Sequence, residues 1–401
     1  MNTKAVMVRI GELWLKSEPV KKQFMKTLIR NIKAALDDVS SEYTIEEFRG
    51  RILIYGDAKK IASVVRRVFG VVDVSICSVC GNTKEEIASA AISLAREKLH
   101  SGMRFAVRGK RQFVKGFTSQ QLAAYVADEI WKEIPDFVVD LDNPEYEIFV
   151  EARDFGGLVY DERLHGTGGL PLGTAGRASV LLSSGIDSPV ATWLMMRRGV
   201  RMVGIFVDAG CWAGPATKDL AVDNARILST WCPGWAFPLW VVSIESFLNA
   251  MVNKCDRHYT CLFCKRFMMR VANAIGKANR LEGIVSGENL GQVASQTLQN
   301  MGVITAAVST PVFRPLLTYD KEEIIALARI IGTYHESSGD TSCRAVPVKP
   351  ATCSLLKYIE SEEEKLPEMN ELVQEVVSKA ELWVAKNGEI NQKKHREIIA
   401  D

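Results

Sequence analysis

Ala178-Ser179-Val180-Leu181-Leu182-Ser183-Ser184-Gly185-Ile186-Asp187-Ser188-Pro189-Val190-Ala191 is an apolar run that ends in small residues and opens directly onto a helix. Val180, Leu181 and Leu182 read as a buried strand. Ser183, Ser184 and Gly185 lack bulk, so a ligand can come close to the backbone. Ser188 makes a good N-cap and Pro189 suits the first helical position. The helix start would then aim free N–H groups and the positive end of its dipole at the loop, an arrangement that holds phosphate. Asp187 stands at the handover from strand to helix, where its carboxylate can face a bound nucleotide or its metal. The plainer reading is an ordinary strand-to-helix turn, since Ser and Gly are common there. Other nucleotide signatures are missing. Gly276-Lys277 is followed by Ala278 rather than Ser or Thr, and Gly166-Thr167-Gly168-Gly169 lacks the G-x-G-x-x-G spacing.

Around this stretch the rhythm is strand and helix in alternation. Strands are predicted over 179–183, 201–207, 238–243, 283–286 and 312–316, with longer helices between them. That pattern belongs to a doubly wound parallel sheet, whose ligands sit beyond the carboxyl ends of the strands. Residues 357–399 read as helical and charged. Before the loop, 166–177 are Gly-rich and read as a linker. Residues 1–57 read as strand, helix and strand, with the helix near 21–36 and a hairpin over 43–55. Residues 58–165 alternate helices and strands, so this half is α+β and the second half α/β.

Charge is uneven under a net +2. Lys22, Lys26, Arg30 and Lys33 form a basic stripe at helical spacing, which is either a solvated face or a contact for a polyanion. Over 96–117, Arg96, Lys98, Arg104, Arg108, Lys110, Arg111 and Lys115 face a single acid, Glu97, with Phe105, Phe113 and Phe117 interleaved. Phe105 fits a strand core. The surplus charge favours a nucleic-acid partner. The length of 401 residues predicts two or three domains. No apolar run reaches transmembrane length and the first residues do not form a signal peptide, so a cytoplasmic protein without a membrane partner is expected.

Nine cysteines, irregularly spaced, point to thiols, metal ligands or redox groups rather than a disulfide frame. Cys261-Leu262-Phe263-Cys264 opens a helix, and two thiolates at this spacing can bind one metal or cluster. A redox dithiol and a structural zinc shared with Cys343 and Cys353 are the alternatives. Cys77 and Cys80 also have C-x-x-C spacing. They fall in a strand pattern that turns them to opposite faces, so they read as packing residues. Cys211, Cys232 and Cys255 have no evident partner.

The stretch from Ser183 to Ser188 resembles the pyrophosphatase loop S-G-G-x-D-S of enzymes that split ATP into AMP and pyrophosphate, with Ser184 in place of the first Gly. Ser184 is tolerable there if its φ stays negative. Gly11-Glu12-Leu13 with Leu15-Lys16, the run Ser286-Gly287-Glu288-Asn289-Leu290-Gly291-Gln292-Val293-Ala294-Ser295-Gln296-Thr297, Arg314-Pro315-Leu316, Asp320-Lys321 with Glu323-Ile324-Ile325, and Ile331-Gly332-Thr333-Tyr334 follow in order. Together they resemble the ThiI family, ATP-dependent tRNA sulfurtransferases that make 4-thiouridine.

The resemblance implies a ferredoxin-like domain over 1–57, a THUMP RNA-binding domain over 58–165 and an ATP-pyrophosphatase domain, of the adenine nucleotide α-hydrolase type, over 178–401. The chain is similar to the short archaeal-type form, without a rhodanese domain. ATP would lie against Leu181, Leu182, Ser183, Ser184, Gly185, Ser188, Phe206, Lys265 or Arg266, Gly287 and Gln296. Asp187 would assist catalysis through Mg²⁺ and pyrophosphate. The uridine O4 at tRNA position 8 would be adenylated and AMP displaced by sulfur. Cys261, Cys264 and Cys343 would hold a 4Fe–4S cluster with one iron open to sulfide, or Cys343 would carry a persulfide as in bacterial members. Sulfide or a carrier protein would supply the sulfur, and a homodimer is implied. Lys22, Lys26, Arg30, Arg104, Arg108, Lys110, Arg111 and Lys115 are the candidate RNA contacts. Two competing readings are a small-molecule amidating ligase and a noncatalytic tRNA-binding protein whose loop Ser184 has disabled.

Overall fold

The computed structural model describes residues 3–11, 17–39, 42–336 and 339–393. Contacts divide the chain into two compact units, Met1–Gln23 with Ile32–Gly169, and Phe24–Asn31 with Leu170–Asp401. Of the motifs above, Glu12 to Lys16 lie outside the described residues.

The first unit follows the order β1 (Thr3–Ile10), α1 (Glu18–Asp37, whose Phe24–Asn31 count with the second unit), β2 (Tyr43–Phe48), β3 (Arg51–Gly56), α2 (Ala58–Val65), β4 (Val71–Cys80), α3 (Lys84–Lys98), β5 (Arg104–Arg111), α4 (Ser119–Glu133), β6 (Val138–Val139), β7 (Tyr146–Arg153), β8 (Gly156–Tyr160) and β9 (Leu164–His165). One sheet runs β2-β3-β1-β4-β8-β7-β5-β6, with β9 on β4. The long strand β4 joins its halves, pairing antiparallel with β1 and with β8. Capping boxes at Thr83/Glu86 and Thr118/Gln121 start α3 and α4. Ile87, Ala91, Leu122, Val126 and Ile130 of these helices are buried with Phe105, Ile148, Val150 and Val159. The opposite sheet face has its own core of Ala5, Met7, Leu53, Cys77, Leu158 and Tyr160. Cys77 lies in that core while Cys80 packs against the helical one, the split that strand alternation requires.

The second unit contains β10 (Arg177–Leu181), α5 (Asp187–Arg197), β11 (Arg201–Asp208), α6 (Thr217–Ser229), β12 (Phe237–Ser243), α7 (Glu245–Lys254), α8 (Thr260–Ala278), β13 (Ile284–Val285), α9 (Leu298–Thr305), β14 (Val312–Phe313), α10 (Lys321–Ile331), α11 (Leu356–Glu363), α12 (Met369–Ser378), β15 (Glu381–Lys386) and β16 (Glu389–Lys393). Its sheet order is β14-β13-β10-β11-β12-β15-β16, parallel from β14 to β12. The chain winds from β10 to β11 on one side and returns to β13 on the other. The carboxyl ends of β10 and β13 therefore flank the switch point where such sheets bind ligands.

Residues 381–393 are not helical as the charge pattern suggested. They form an antiparallel hairpin that extends the sheet from β12. The missed signal is Asn387-Gly388, which turns with both residues at positive φ, 52° and 85°. Leu382 to Ala385 then cover an edge that β12 would otherwise leave open.

Candidate active site

The loop after β10 is held from three sides. Ser183 N–H donates to Ser188 Oγ at 2.8 Å, and the two hydroxyls lie 2.9 Å apart. Gly185 N–H donates to Ser183 Oγ at 3.3 Å. Fully buried Asn224 of α6 donates to the Ser183 carbonyl at 3.0 Å. Ser188 is therefore not the N-cap expected of it. Ile186 occupies that position without a side-chain cap. Ser188 turns back to fasten the loop, because its hydroxyl is buried where the loop N–H is its nearest donor. The first N–H groups of α5 still lack partners within the helix. Ser184 is not among the residues with positive φ, so the loop conformation accepts Ser in place of Gly. Leu182 and Phe206 are buried and Leu181 half-buried, so these positions can reach a ligand only through backbone or the strand end.

Asp187 is the first residue of α5 and three-quarters buried. Lys321 Nζ, at the start of α10, lies 3.0 Å from its Oδ1, and Gln292 Nε2 lies 3.4 Å from its Oδ2. Lys321 and Gln292 were read only as motif letters in the sequence, and Asn224 carried no sequence signal at all. A basic group beside the carboxylate offers a second charge for phosphate at the same place.

The run after β13 meets the loop directly. A Cβ on Gly287 would come within 2.7 Å of the Ser188 backbone, so this glycine is required by packing on the start of α5. The sequence reading had reserved that space for ligand. Next to it, the buried Glu288 carboxylate takes Lys265 Nζ at 2.8 Å and Arg314 Nε at 2.8 Å. Burial alone would raise the Glu288 carboxyl, but Lys265 and Arg314 outweigh it and hold it below the usual range. Lys265 and Arg266 part company here. Lys265 faces the thiol cavity, whereas Arg266 is 2% exposed and bound to Glu363 and the Val303 carbonyl. Gln296 keeps a buried Oε1 without a hydrogen-bond partner among the described residues, an acceptor left open in the same run.

Cys261 and Cys264 lie in the first two turns of α8, and Cys343 lies where the chain bridges to Ala213. The three thiols and Lys265 line one cavity of about 430 Å³, with Thr260, Ser295 and Ser342 among its few polar groups. Burial, then the nearness of Cys343 and Cys261, pushes the Cys264 thiol up to about 12, while Lys265 pulls the other way. Cys261 is raised for the same reasons. Cys353 does not line the cavity and its Sγ donates to Gln299 Oε1 at 2.9 Å. Among the described residues no three His, Cys, Asp or Glu side chains are arranged to hold a metal ion.

Residues 173–367 match the family model described as Thiamine biosynthesis protein (ThiI), residues 5–75 the ThiI ferredoxin-like domain and residues 81–160 the THUMP domain. The protein named "Probable tRNA sulfurtransferase" of Methanosarcina mazei is 39% identical over 389 residues, 95% of each chain. The chain belongs to the ThiI family. A second protein named "Probable tRNA sulfurtransferase", of Thermoanaerobacter pseudethanolicus, is 38% identical over 89% of this chain and 94% of its own. A solved 4-thiouridine synthetase, in complex with RNA and with bound ATP, superposes with a TM-score of 0.86 at 29% identity, covering 96% of this chain and 100% of that one. The ferredoxin-like, THUMP and ThiI parts thus follow one another along this chain, with the parallel sheet in the last.

The candidate RNA residues of this ThiI-family chain are less free than their linear surplus of charge suggested, because acids arrive from neighbouring strands. Arg104 lies near Asp140 and Glu145, and Arg108 pairs with Glu147 at 2.7 Å. Arg96 pairs with Glu133 and Lys98 with Asp161. Arg111 is turned onto the Val114 carbonyl. Arg30 stacks over Trp235 at 4.4 Å. Lys22, Lys26, Lys110 and Lys115 are exposed. No described helix is long and apolar enough to cross a membrane.

Proposed function

We propose that this protein is an ATP-dependent tRNA sulfurtransferase that makes 4-thiouridine, with its first unit holding the RNA and its second carrying out the chemistry. The observation that carries this reading is a continuous set of contacts: Ser183 fastened to Ser188, Ser188 packed on Gly287, and Glu288 next to it holding Lys265 at the three-thiol cavity. An amidating ligase would not require three thiols there.

In the first step the uridine O4 attacks the α-phosphorus of ATP. The O4–P bond forms, the bond to the β-phosphate oxygen breaks, and pyrophosphate leaves. The loop N–H groups and the start of α5 receive the phosphates. Lys321, paired with Asp187, adds charge where pyrophosphate departs, and Asp187 is the group able to hold Mg²⁺ there. The open Gln296 acceptor suits an amino group on a base. In the second step a sulfur nucleophile attacks C4, and AMP leaves with the former O4.

The all-thiol donor set suits an iron–sulfur cluster by its chemistry, although the described side chains are not arranged around a metal. The Cys261 and Cys264 thiols, raised by burial and set beside one lysine, need a cationic centre to become thiolates. Cys261, Cys264 and Cys343 would be its ligands, and when bound it supplies a place for sulfide. Lys265 lowers the charge these thiolates present, and Glu288 fixes Lys265 in that position.

The test is to incubate anaerobically purified protein with unmodified tRNA, ATP, Mg²⁺ and sulfide, and to look for 4-thiouridine by mass spectrometry. Product should form with ATP, and Asp187→Ala should lower it at least ~10³-fold, about 4 kcal/mol, while tRNA affinity stays within twofold. Product formed equally well without ATP would overturn the reading.

A further inference from the structure

The helix-free face of the first unit carries a cluster of cations that the chemistry above does not use. In the sheet β3 and β7 are separated by β1, β4 and β8. At ~4.8 Å per strand a flat sheet would put them ~19 Å apart. Yet Arg51 Nη2 of β3 reaches Glu151 Oε1 of β7 at 2.8 Å. The sheet therefore curls, and its two halves close over this face.

At the closure Arg51 and Arg153 grip Glu151, whose third partner is the Tyr160 hydroxyl at 3.2 Å. Arg9 pairs with Asp73 and lies 4.7 Å over the Tyr160 ring. Arg163 lies 4.3 Å over Phe149, which stacks on Tyr160. Lys110 stands beside Glu151, Arg51, Arg153 and Arg163; loss of hydration and then these guanidinium groups lower its ammonium, against the pull of Glu151. Among the described residues five cations thus meet two carboxylates, Glu151 and Asp73. Donors remain open: Arg9 Nη2 and Arg51 Nε are buried without a hydrogen-bond partner among the described residues. Lys110 and Arg163 are exposed at the rim, and no carboxylate pairs with either among the described residues. Stacking on an aromatic face keeps a guanidinium flat and leaves its N–H edge to a ligand.

We infer that this cluster is a phosphate seat for the RNA backbone, with Arg9 and Arg51 as its floor and Lys110 and Arg163 as its rim. Glu151 and Asp73 keep the floor guanidinium groups in place, and the surplus charge is answered by one or two phosphodiesters. The inference rests on the proposed action on tRNA and adds where the RNA is held.

The test uses full-length protein and an unmodified tRNA transcript, with affinity followed across salt concentration. The double variant Lys110→Ala/Arg163→Ala removes only exposed side chains. It should bind about tenfold more weakly, and its log–log salt slope should be shallower by roughly 1 to 2, since each phosphate contact contributes ~0.7 to ~0.9. Lys110→Arg/Arg163→Lys should restore the slope. Lys22→Ala/Lys26→Ala, on the basic stripe of α1, should change it less. If the wild type binds tRNA and Lys110→Ala/Arg163→Ala binds as tightly with the same slope, the seat is wrong and the action on tRNA stands. If the wild type itself does not bind tRNA at low salt, both fall.

Discussion

Glu151 in the first unit and Glu288 in the second are both buried carboxylates gripped by two cations. Their surroundings differ. The partners of Glu151, Arg51 and Arg153, are 10% and 2% exposed, and further cations crowd the same face. The partners of Glu288 are Arg314, itself tied to Thr305, and Lys265, a quarter exposed at the edge of the thiol cavity. The first carboxylate holds together a cluster whose excess charge looks outward. The second places one movable cation beside reactive sulfur. A buried ion pair contributes little net stability when intact, yet losing one partner strands the other. The two sites should therefore fail differently.

The largest effect is expected at Glu151. Glu151→Gln leaves Arg51 and Arg153 buried with half their hydrogen bonding, and should cost about 3 to 5 kcal/mol in urea unfolding of the first unit. A pH series sharpens the point. Burial raises the Glu151 carboxyl, but Arg51 and Arg153 prevail and hold it at about 2 rather than 4.5. Its folded pKa is thus the depressed one. The stability it provides is complete above pH 4.5 and is lost as pH falls from 4.5 towards 2. The wild type should weaken through that window, and Glu151→Gln should lack that part of the fall. An unchanged acid limb would show that the Arg51–Glu151–Arg153 set does not govern it.

Glu288→Gln should cost less stability, about 1 to 2 kcal/mol, because Lys265 can swing out and rehydrate. Its effect should be on rate. Thiolation kcat should fall about 10- to 100-fold, or ~1.4 to ~2.7 kcal/mol, while KM for tRNA is kept. A parallel loss of kcat and tRNA affinity would instead mean that Glu288 also governs how tRNA is held, and the contrast between the two carboxylates would collapse.

The two sites were also unequally legible in the sequence. Val180 to Val190 announced a strand, a small-residue loop and a helix, because local composition dictates all three. The order of β10, β11, β12, β13 and β14 followed from periodicity. What could not be read was side-chain direction. Lys265 and Arg266 are adjacent letters, but one lines the cavity and the other is sunk in the core, a choice made by the rotation of α8 against its neighbours. Arg108 looked unopposed until Glu147 came alongside from β7. Arg51, Glu151 and Arg153 are a hundred residues apart in part, and only the curl of the sheet joins them. Chemistry confined to one loop is visible in a sequence; chemistry assembled across strands is not.

The smallest effect should be at Cys353, and it separates two metal hypotheses at the thiol cavity. A zinc site with four cysteine ligands would use Cys353 together with Cys261, Cys264 and Cys343. The cavity is lined by the latter three, while Cys353 donates to Gln299 in loop sequence before α11. Cys353→Ser preserves that hydrogen bond, since a hydroxyl donates as well as a thiol. Thiolation and bound iron should both stay within about twofold of wild type, on the scale of ~0.4 kcal/mol. Cys261→Ala, measured beside it, should lose iron and thiolation together. If Cys353→Ser loses the metal as completely as Cys261→Ala, the ligand set has four sulfurs and no open position for sulfide, and the sulfur must reach C4 by another route.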